Sequence, residues 1–139
     1  MLTSKLSASL LIASLVVAAP VVTLAGSDIR TERVQFKPGT SGKVIKGTIK
    51  GYQTVDYVIN ARKDQSANIS MASKNTAAYF NILAPGEKEV AMFNGSMNDN
   101  QFEGTLPKTG DYKVRVYLMR SAARRNEVAN YTLDINISD

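Results

Sequence analysis

Asp111–Asp139, DYKVRVYLMRSAARRNEVANYTLDINISD, is the stretch whose pattern decides the fold. In its first part Tyr112, Val114, Val116 and Leu118 share one face and Lys113, Arg115, Tyr117 and Met119 the other, which is the period of a β-strand with one side in a core. Tyr131, Leu133, Ile135 and Ile137 alternate in the same way with Thr132, Asp134, Asn136 and Ser138. Between the two runs, Arg120–Ala129 reads as a loop, with Arg120, Arg124 and Arg125 close together and no acid before Glu127. A loop displayed by two half-buried strands is a usual place for recognition groups.

Further runs of the same kind lie upstream. Val44–Lys50 is a short strand whose Gly47 suggests a bulge, and after a turn at Gly51–Thr54 the run Val55–Ala61 places Val55, Tyr57, Ile59 and Ala61 on one face. Ala67, Ile69 and Met71 continue the alternation, and Ala78–Leu83 is apolar on both faces, as for a strand central to a sandwich. Val90–Phe93 before the Asn94-Gly95 turn, and Phe102–Leu106 before Pro107, read as shorter strands. Val34 and Phe36 begin an alternating pattern that stops at Pro38-Gly39, while Asp28–Arg33 reads as a loose polar arm. Eight or nine runs spaced by about 8 to 15 residues, with no helix long enough to cover a sheet, imply an all-β fold. The expected architecture is an antiparallel β-sandwich of about eight strands.

The chain begins with a different kind of segment. Lys5 precedes an uncharged run from Leu6 to Ser27, rich in Leu, Val, Ala and Ser and ending in small residues at Ala25-Gly26. That is the layout of a cleavable secretory signal peptide over residues 1–25. A retained membrane anchor is the other reading, since the run approaches the roughly 20 residues a spanning helix needs; Ser7, Ser9, Ser14, Pro20 and Thr23 dilute its apolarity. Residues 26–139 then form one domain, too short for two cores. Removing Lys5 with the leader turns the formal charge of +5 into +4, a modest preference for acidic partners.

Composition narrows the chemistry. The chain has no Cys, His or Trp, which rules out disulfides, thiolate and imidazole metal sites, and every His-dependent triad. Glu87 and Glu89 are the only closely spaced pair of carboxylates, and residues two apart on an extended segment share a face rather than facing each other across a cleft. Neither an enzyme nor a cofactor is expected. Asn98, Asp99 and Asn100 lack a second carboxylate in phase for calcium. Arg115, Arg120, Arg124 and Arg125 beside Tyr112, Tyr117 and Tyr131 have the ingredients of a nucleic-acid surface. Against that stand the small net charge, the secretory leader and tyrosines that fall partly on the core face. What remains is either a protein-recognition loop, for which arginine is well suited, or an ordinary solvated loop.

Lys50-Gly51-Tyr52 followed by Asp56-Tyr57, the Ala84-Pro85-Gly86 turn, Leu106–Tyr112, Arg115-Val116, and Arg120–Arg124 before Asn130-Tyr131 are stretches in which the chain resembles the family of periplasmic inhibitors of g-type lysozyme. The similarity keeps order and spacing over nearly all of residues 26–139, and it also places the domain near the secreted β-sandwiches that often follow peptidases. The resemblance implies a periplasmic protein that inserts loops into the substrate cleft of a g-type lysozyme, with Tyr52, Arg120 and Arg124 reaching the catalytic region. A guanidinium beside a catalytic Glu would hold that acid ionised and unable to protonate a leaving group. The family's inhibitors carry a second tyrosine and a further acid where this chain has Gln53-Thr54-Val55, and an acid where it has Ala122.

The expected function is therefore a proteinaceous inhibitor of g-type lysozyme, with Tyr52, Arg120, Arg124 and Arg125 as partner-binding residues, no metal, no nucleic acid and no membrane contact after leader removal. A non-inhibitory envelope module that binds glycan or another envelope protein is the alternative.

Overall fold

The structure, a computed structural model, describes residues 29–38 and 40–139; the expected leader lies outside them. In chain order the elements are β1 (Ile29–Arg33), β2 (Gly42–Lys50), β3 (Thr54–Ala61), β4 (Ser66–Ser73), β5 (Ala78–Leu83), β6 (Phe93–Asn94), a 3-10 turn at Gly95–Met97, β7 (Gln101–Thr105), β8 (Gly110–Leu118), α1 (Arg120–Arg124) and β9 (Val128–Ser138). One sheet runs β1-β3-β8-β5-β6 and the other β2-β9-β4-β7. Together they make the expected sandwich.

The alternation read in the sequence builds the core. Val55, Tyr57, Ile59 and Ala61 of β3 and Tyr112, Val114, Val116 and Leu118 of β8 point inward from the first sheet. Tyr131, Leu133, Ile135 and Ile137 of β9 meet them from the second. Phe93 stacks against Phe80 and sets its edge region against Phe102, both at 5.2 Å between ring centroids, which closes one side of the sandwich across the sheets. Near the other side the hydroxyls of Tyr57 and Tyr131 hydrogen-bond at 2.6 Å, a polar rivet through the apolar interior. Burial raises both phenols above their ordinary range, and for Tyr131 the bond to Tyr57 adds to the shift.

Four expectations about the strands need correction. Ile29–Arg33 is not a loose arm: it is an edge strand, and it runs parallel to β3 in an otherwise antiparallel sheet, with Ile29 beside Thr54 and Arg33 beside Val58. All five of its residues are exposed, so it is held by backbone pairing and by an ion pair from Arg33 to Asp111 at 2.9 Å rather than by core packing, and no apolar alternation announces it. Gly47 marks no bulge, because β2 pairs with β9 in unbroken register from Gly42 to Lys50. It sits opposite Tyr131, and any Cβ there would collide with the ring, 2.9 Å from Cε2, so glycine makes room for the rivet. Of the strand expected at Val90–Phe93, only Phe93 is in β6. Val34 and Phe36 lie outside any strand, although Val34 is buried and donates its N–H to Val58.

Asn98–Asn100 forms the turn after β6. Asp99 and Asn100 hold left-handed φ of 55° and 54°. The Asn100 amide is spent on β5, accepting from the Phe80 N–H and donating to the Ala78 carbonyl. Leu106–Tyr112 is likewise architectural. The Tyr112 hydroxyl donates to the Lys108 carbonyl at 2.6 Å and accepts from its N–H at 2.9 Å, locking the corner into β8.

Candidate functional site

Every connection but that between β5 and β6 passes from one sheet to the other. At one end of the sandwich two of these crossings lie side by side: the turn Lys50–Gln53, from β2 to β3, and the segment Met119–Glu127, from β8 to β9.

The turn is built by Gly51 and Gln53. Gly51 takes φ +60°, a left-handed conformation that favours glycine. The Gln53 N–H donates to the Lys50 carbonyl while its side-chain Oε1 accepts from the Lys50 N–H, so both backbone groups of Lys50 are closed within the turn. Tyr52 is left at the tip, 57 % exposed. Gln53-Thr54-Val55 thus serves the turn and the start of β3, where Val55 is buried.

The arginine segment is not a loop. Arg120–Arg124 forms the short helix α1, and Ala122 and Ala123 are the two residues it buries. Its C-terminus closes with Asn126 at φ +59°: the Asn126 N–H donates to the Ala123 carbonyl and the Glu127 N–H to that of Ala122. This is the paired-bond helix stop that glycine or asparagine supplies. Ala122 is fully buried, so a carboxylate at this position would be desolvated. Arg120 and Arg124 are four apart, so they stand on one face of the helix.

The two crossings are joined directly. The Gly51 N–H donates to the Glu127 carbonyl at 2.9 Å. A third connection buttresses them, because the Asn75 amide donates to the Glu127 carboxylate and to the Val128 carbonyl, both at 3.1 Å. Arg125 pairs with Glu127 at 2.6 Å, and that bond, with help from Asn75, holds the Glu127 carboxyl below its ordinary range. Among the described residues, neither Arg120 nor Arg124 forms an ion pair with an acid of this chain. Tyr52 and Arg120 line one shallow groove of about 510 Å³.

Of the sequence-based candidates, then, Tyr52 and Arg120 come together, Arg124 follows one turn along the same helix, and Arg125 faces an internal partner. Arg115 is a residue whose place the sequence did not disclose. It stands opposite Asp56 across β8 and β3, and its Nε and Nη2 donate to the two carboxylate oxygens at 2.7 and 2.9 Å. The Asp56-Tyr57 and Arg115-Val116 dipeptides are therefore one cross-strand pair, with the charged residues outward and the others in the core.

A wider trough of about 800 Å³ crosses the outer face of the second sheet, bordered by Lys46, Thr48, Lys74, Asn75 and Asn130. Its polar groups are largely spent on each other: Thr48 donates to the Asn130 side chain, Ser73 to the Asn130 carbonyl, and Asn75 to Glu127 and Val128. Among the described residues no helix is long and apolar enough to cross a membrane.

No family model matches the chain. A curated protein of Escherichia coli (strain K12), an inhibitor of g-type lysozyme, is 30 % identical over 107 residues, which span 75 % of this chain and 78 % of that protein. The solved structure of PliG from Aeromonas hydrophila, a periplasmic lysozyme inhibitor of g-type lysozyme, superposes with a TM-score of 0.75 at 33 % identity, covering 80 % of this chain and 98 % of that one. The pre-peptidase C-terminal domain of a Bacillus anthracis collagenase shares the fold alone, with a TM-score of 0.54 at 19 % identity, over 78 % of this chain and 95 % of its own. The relatives of higher identity are inhibitors rather than enzymes, and with a match of that extent to the Escherichia coli protein the chain belongs to the family of inhibitors of g-type lysozyme.

Proposed function

We propose that this protein acts in the periplasm as an inhibitor of g-type lysozyme, inserting the Tyr52 turn and α1 into the enzyme's acidic substrate cleft and so protecting peptidoglycan. The observation that carries the reading is the joining of two inter-sheet crossings, which sets Tyr52 and Arg120 on one groove with no acid among the described residues paired to Arg120 or Arg124. Tyr52 offers apolar area with a polar tip. Arg120 and Arg124 offer guanidinium forks matched to carboxylates. Arg125 sits at the rim and contributes less, because engaging a partner means releasing Glu127.

A cation brought against a catalytic carboxyl lowers its pKa and removes the protonated form that a general acid requires. Each charge-assisted hydrogen bond contributes about 1.5 to 3 kcal/mol, so two arginines supply a large share of a tight complex. The bonds at Gly51, Asn75 and Asn126 order the surface before binding, which removes an entropic cost of association.

The test is turnover of a cell-wall suspension by a purified g-type lysozyme with increasing amounts of this protein. Inhibition at or below micromolar concentration is expected. Undiminished turnover, together with retention of the protein on bare peptidoglycan, would instead favour a non-inhibitory envelope-binding module.

A further inference from the structure

The groove beside Tyr52 has a floor that α1 does not supply. Arg115 lies opposite Asp56 on one side and Asn81 on the other, so the three side chains form a row across β3, β8 and β5 on the outer face of the first sheet. Asp56 is 3 % exposed, and it fixes Arg115 by two bonds that occupy Nε and Nη2. Among the described residues the third guanidinium nitrogen, Nη1, has no hydrogen-bond partner, and the Arg115 side chain keeps 23 % of its surface open. The Tyr117 hydroxyl donates to Asn81 Oδ1 at 3.2 Å, which orients the amide, and among the described residues its Nδ2 donor has no partner. Arg115, Asn81 and Tyr117 line the same groove as Tyr52 and Arg120.

The walls are of another character. Ile29, from the parallel edge strand, and Met119, from the start of α1, border this groove and are 45 % and 43 % exposed. With Tyr52 they make an apolar rim around a floor of N–H donors beside a free cation. Such a concavity suits an acidic side chain whose methylene stem packs on the rim while its oxygens reach the donors.

We propose that this groove receives a carboxylate-bearing side chain of the bound lysozyme, with Arg115 and Asn81 as its floor and Ile29 and Met119 as its rim. The inference rests on the inhibitor reading and adds to it a receiving site, distinct from the side chains that the protein inserts. Asp56 is a positioning residue: it holds the guanidinium so that Nη1 is the edge presented.

The experiment compares wild type with Asn81→Asp in titrations of a purified g-type lysozyme on a cell-wall suspension, at low and high salt. Asn81→Asp keeps an acceptor for Tyr117 but replaces the donor with a negative charge. Inhibition at least tenfold weaker, with the loss shrinking as salt rises, is expected. Wild-type inhibition matched within twofold by a folded Asn81→Asp overturns the receiving site while leaving the inhibitor reading in place, whereas absence of inhibition by wild type overturns both. If Asn81→Asp does not fold, Met119→Asp decides in its stead. It adds a carboxylate to the rim at the helix N-cap, where aspartate is favoured and Met119 makes no capping bond. Inhibition should again fall at least tenfold with an undiminished melting temperature, and unchanged inhibition overturns the proposal.

Discussion

The backbone N–H of Gly51 reaches the carbonyl oxygen of Glu127 at 2.9 Å, and through that bond the turn that carries Tyr52 is fastened to the segment that carries Arg120 and Arg124. Gly51 is under a second constraint: a Cβ there would lie 2.6 Å from Asn126 Oδ1, on a backbone already at φ +60°. Gly51→Ala should therefore cost about 1–2 kcal/mol from the left-handed conformation alone, and the displaced turn should weaken lysozyme inhibition as well. Urea unfolding and inhibition titrations of one preparation check this; a variant unchanged in both would show that the fastening is idle.

Arg120→Ala and Arg124→Ala should each weaken inhibition by about tenfold or more, roughly 1.4 kcal/mol per decade, with melting temperatures held, since among the described residues neither forms an ion pair. Arg125→Ala should lose less inhibition, because its guanidinium is already engaged by Glu127, and it should change stability little, since exposed pairs contribute about 0–1 kcal/mol. The order of the three half-inhibitory concentrations is the measurement, and an Arg125 variant as damaged as the Arg120 variant would reverse the assignment.

The rivet between Tyr57 and Tyr131 should show strong non-additivity. Either single change to Phe leaves a buried hydroxyl without its partner, at a cost of about 1–3 kcal/mol, while the double change removes both groups and should cost much less than the two singles together. A pH dependence accompanies it. Burial raises both phenols, so the preference of the folded state for protonated tyrosine is intact below the unfolded value of about 10. It is lost as pH climbs through the raised values. Wild-type stability should fall above about pH 10, and the double Phe variant should lack that component of the alkaline loss in denaturant titrations.

Asp56→Ala should be among the most destabilising single changes, by about 3–5 kcal/mol, because it strands the part-buried Arg115 guanidinium. Pairing it as Asp56→Leu with Arg115→Met should restore much of the stability, as apolar replacement of a buried ion pair commonly does. Thermal melts of the two variants check the claim, and equal melting temperatures would contradict it.

How much of this was legible in the sequence follows from what leaves a periodic trace. β8 and β9 bury alternate residues, and β3 places Val55, Tyr57, Ile59 and Ala61 in the core while Asp56 and Val58 are covered on its other face, so the inward faces of all three are legible from Tyr112, Tyr131 and Val55 onward. β1 buries nothing, so its residues carried no alternation and its parallel pairing was hidden. α1 is too short for a helical period; its signal was instead Asn126, a helix-stopping residue. Gly47 was misread because its reason lies across the sheet, in Tyr131. Tyr52 and Arg120 were found through resemblance, whereas Arg115 needed the register that sets it between Asp56 and Asn81.

Because nearly every connection changes sheet, strands that follow one another in the chain seldom lie side by side, and the one local pairing of consecutive strands among the described residues, β5 with the two-residue β6, is too short to be a starting point. Closing such a topology requires distant segments to meet before any of them is rewarded, which places folding in the slow regime of roughly milliseconds to seconds typical of β-sandwiches. The same wiring works in reverse once the molecule is assembled. Peeling back the end that bears Tyr52 and the arginines means parting both layers at once, so this surface should open only with the whole domain and resist proteolytic nicking as strongly as the interior does.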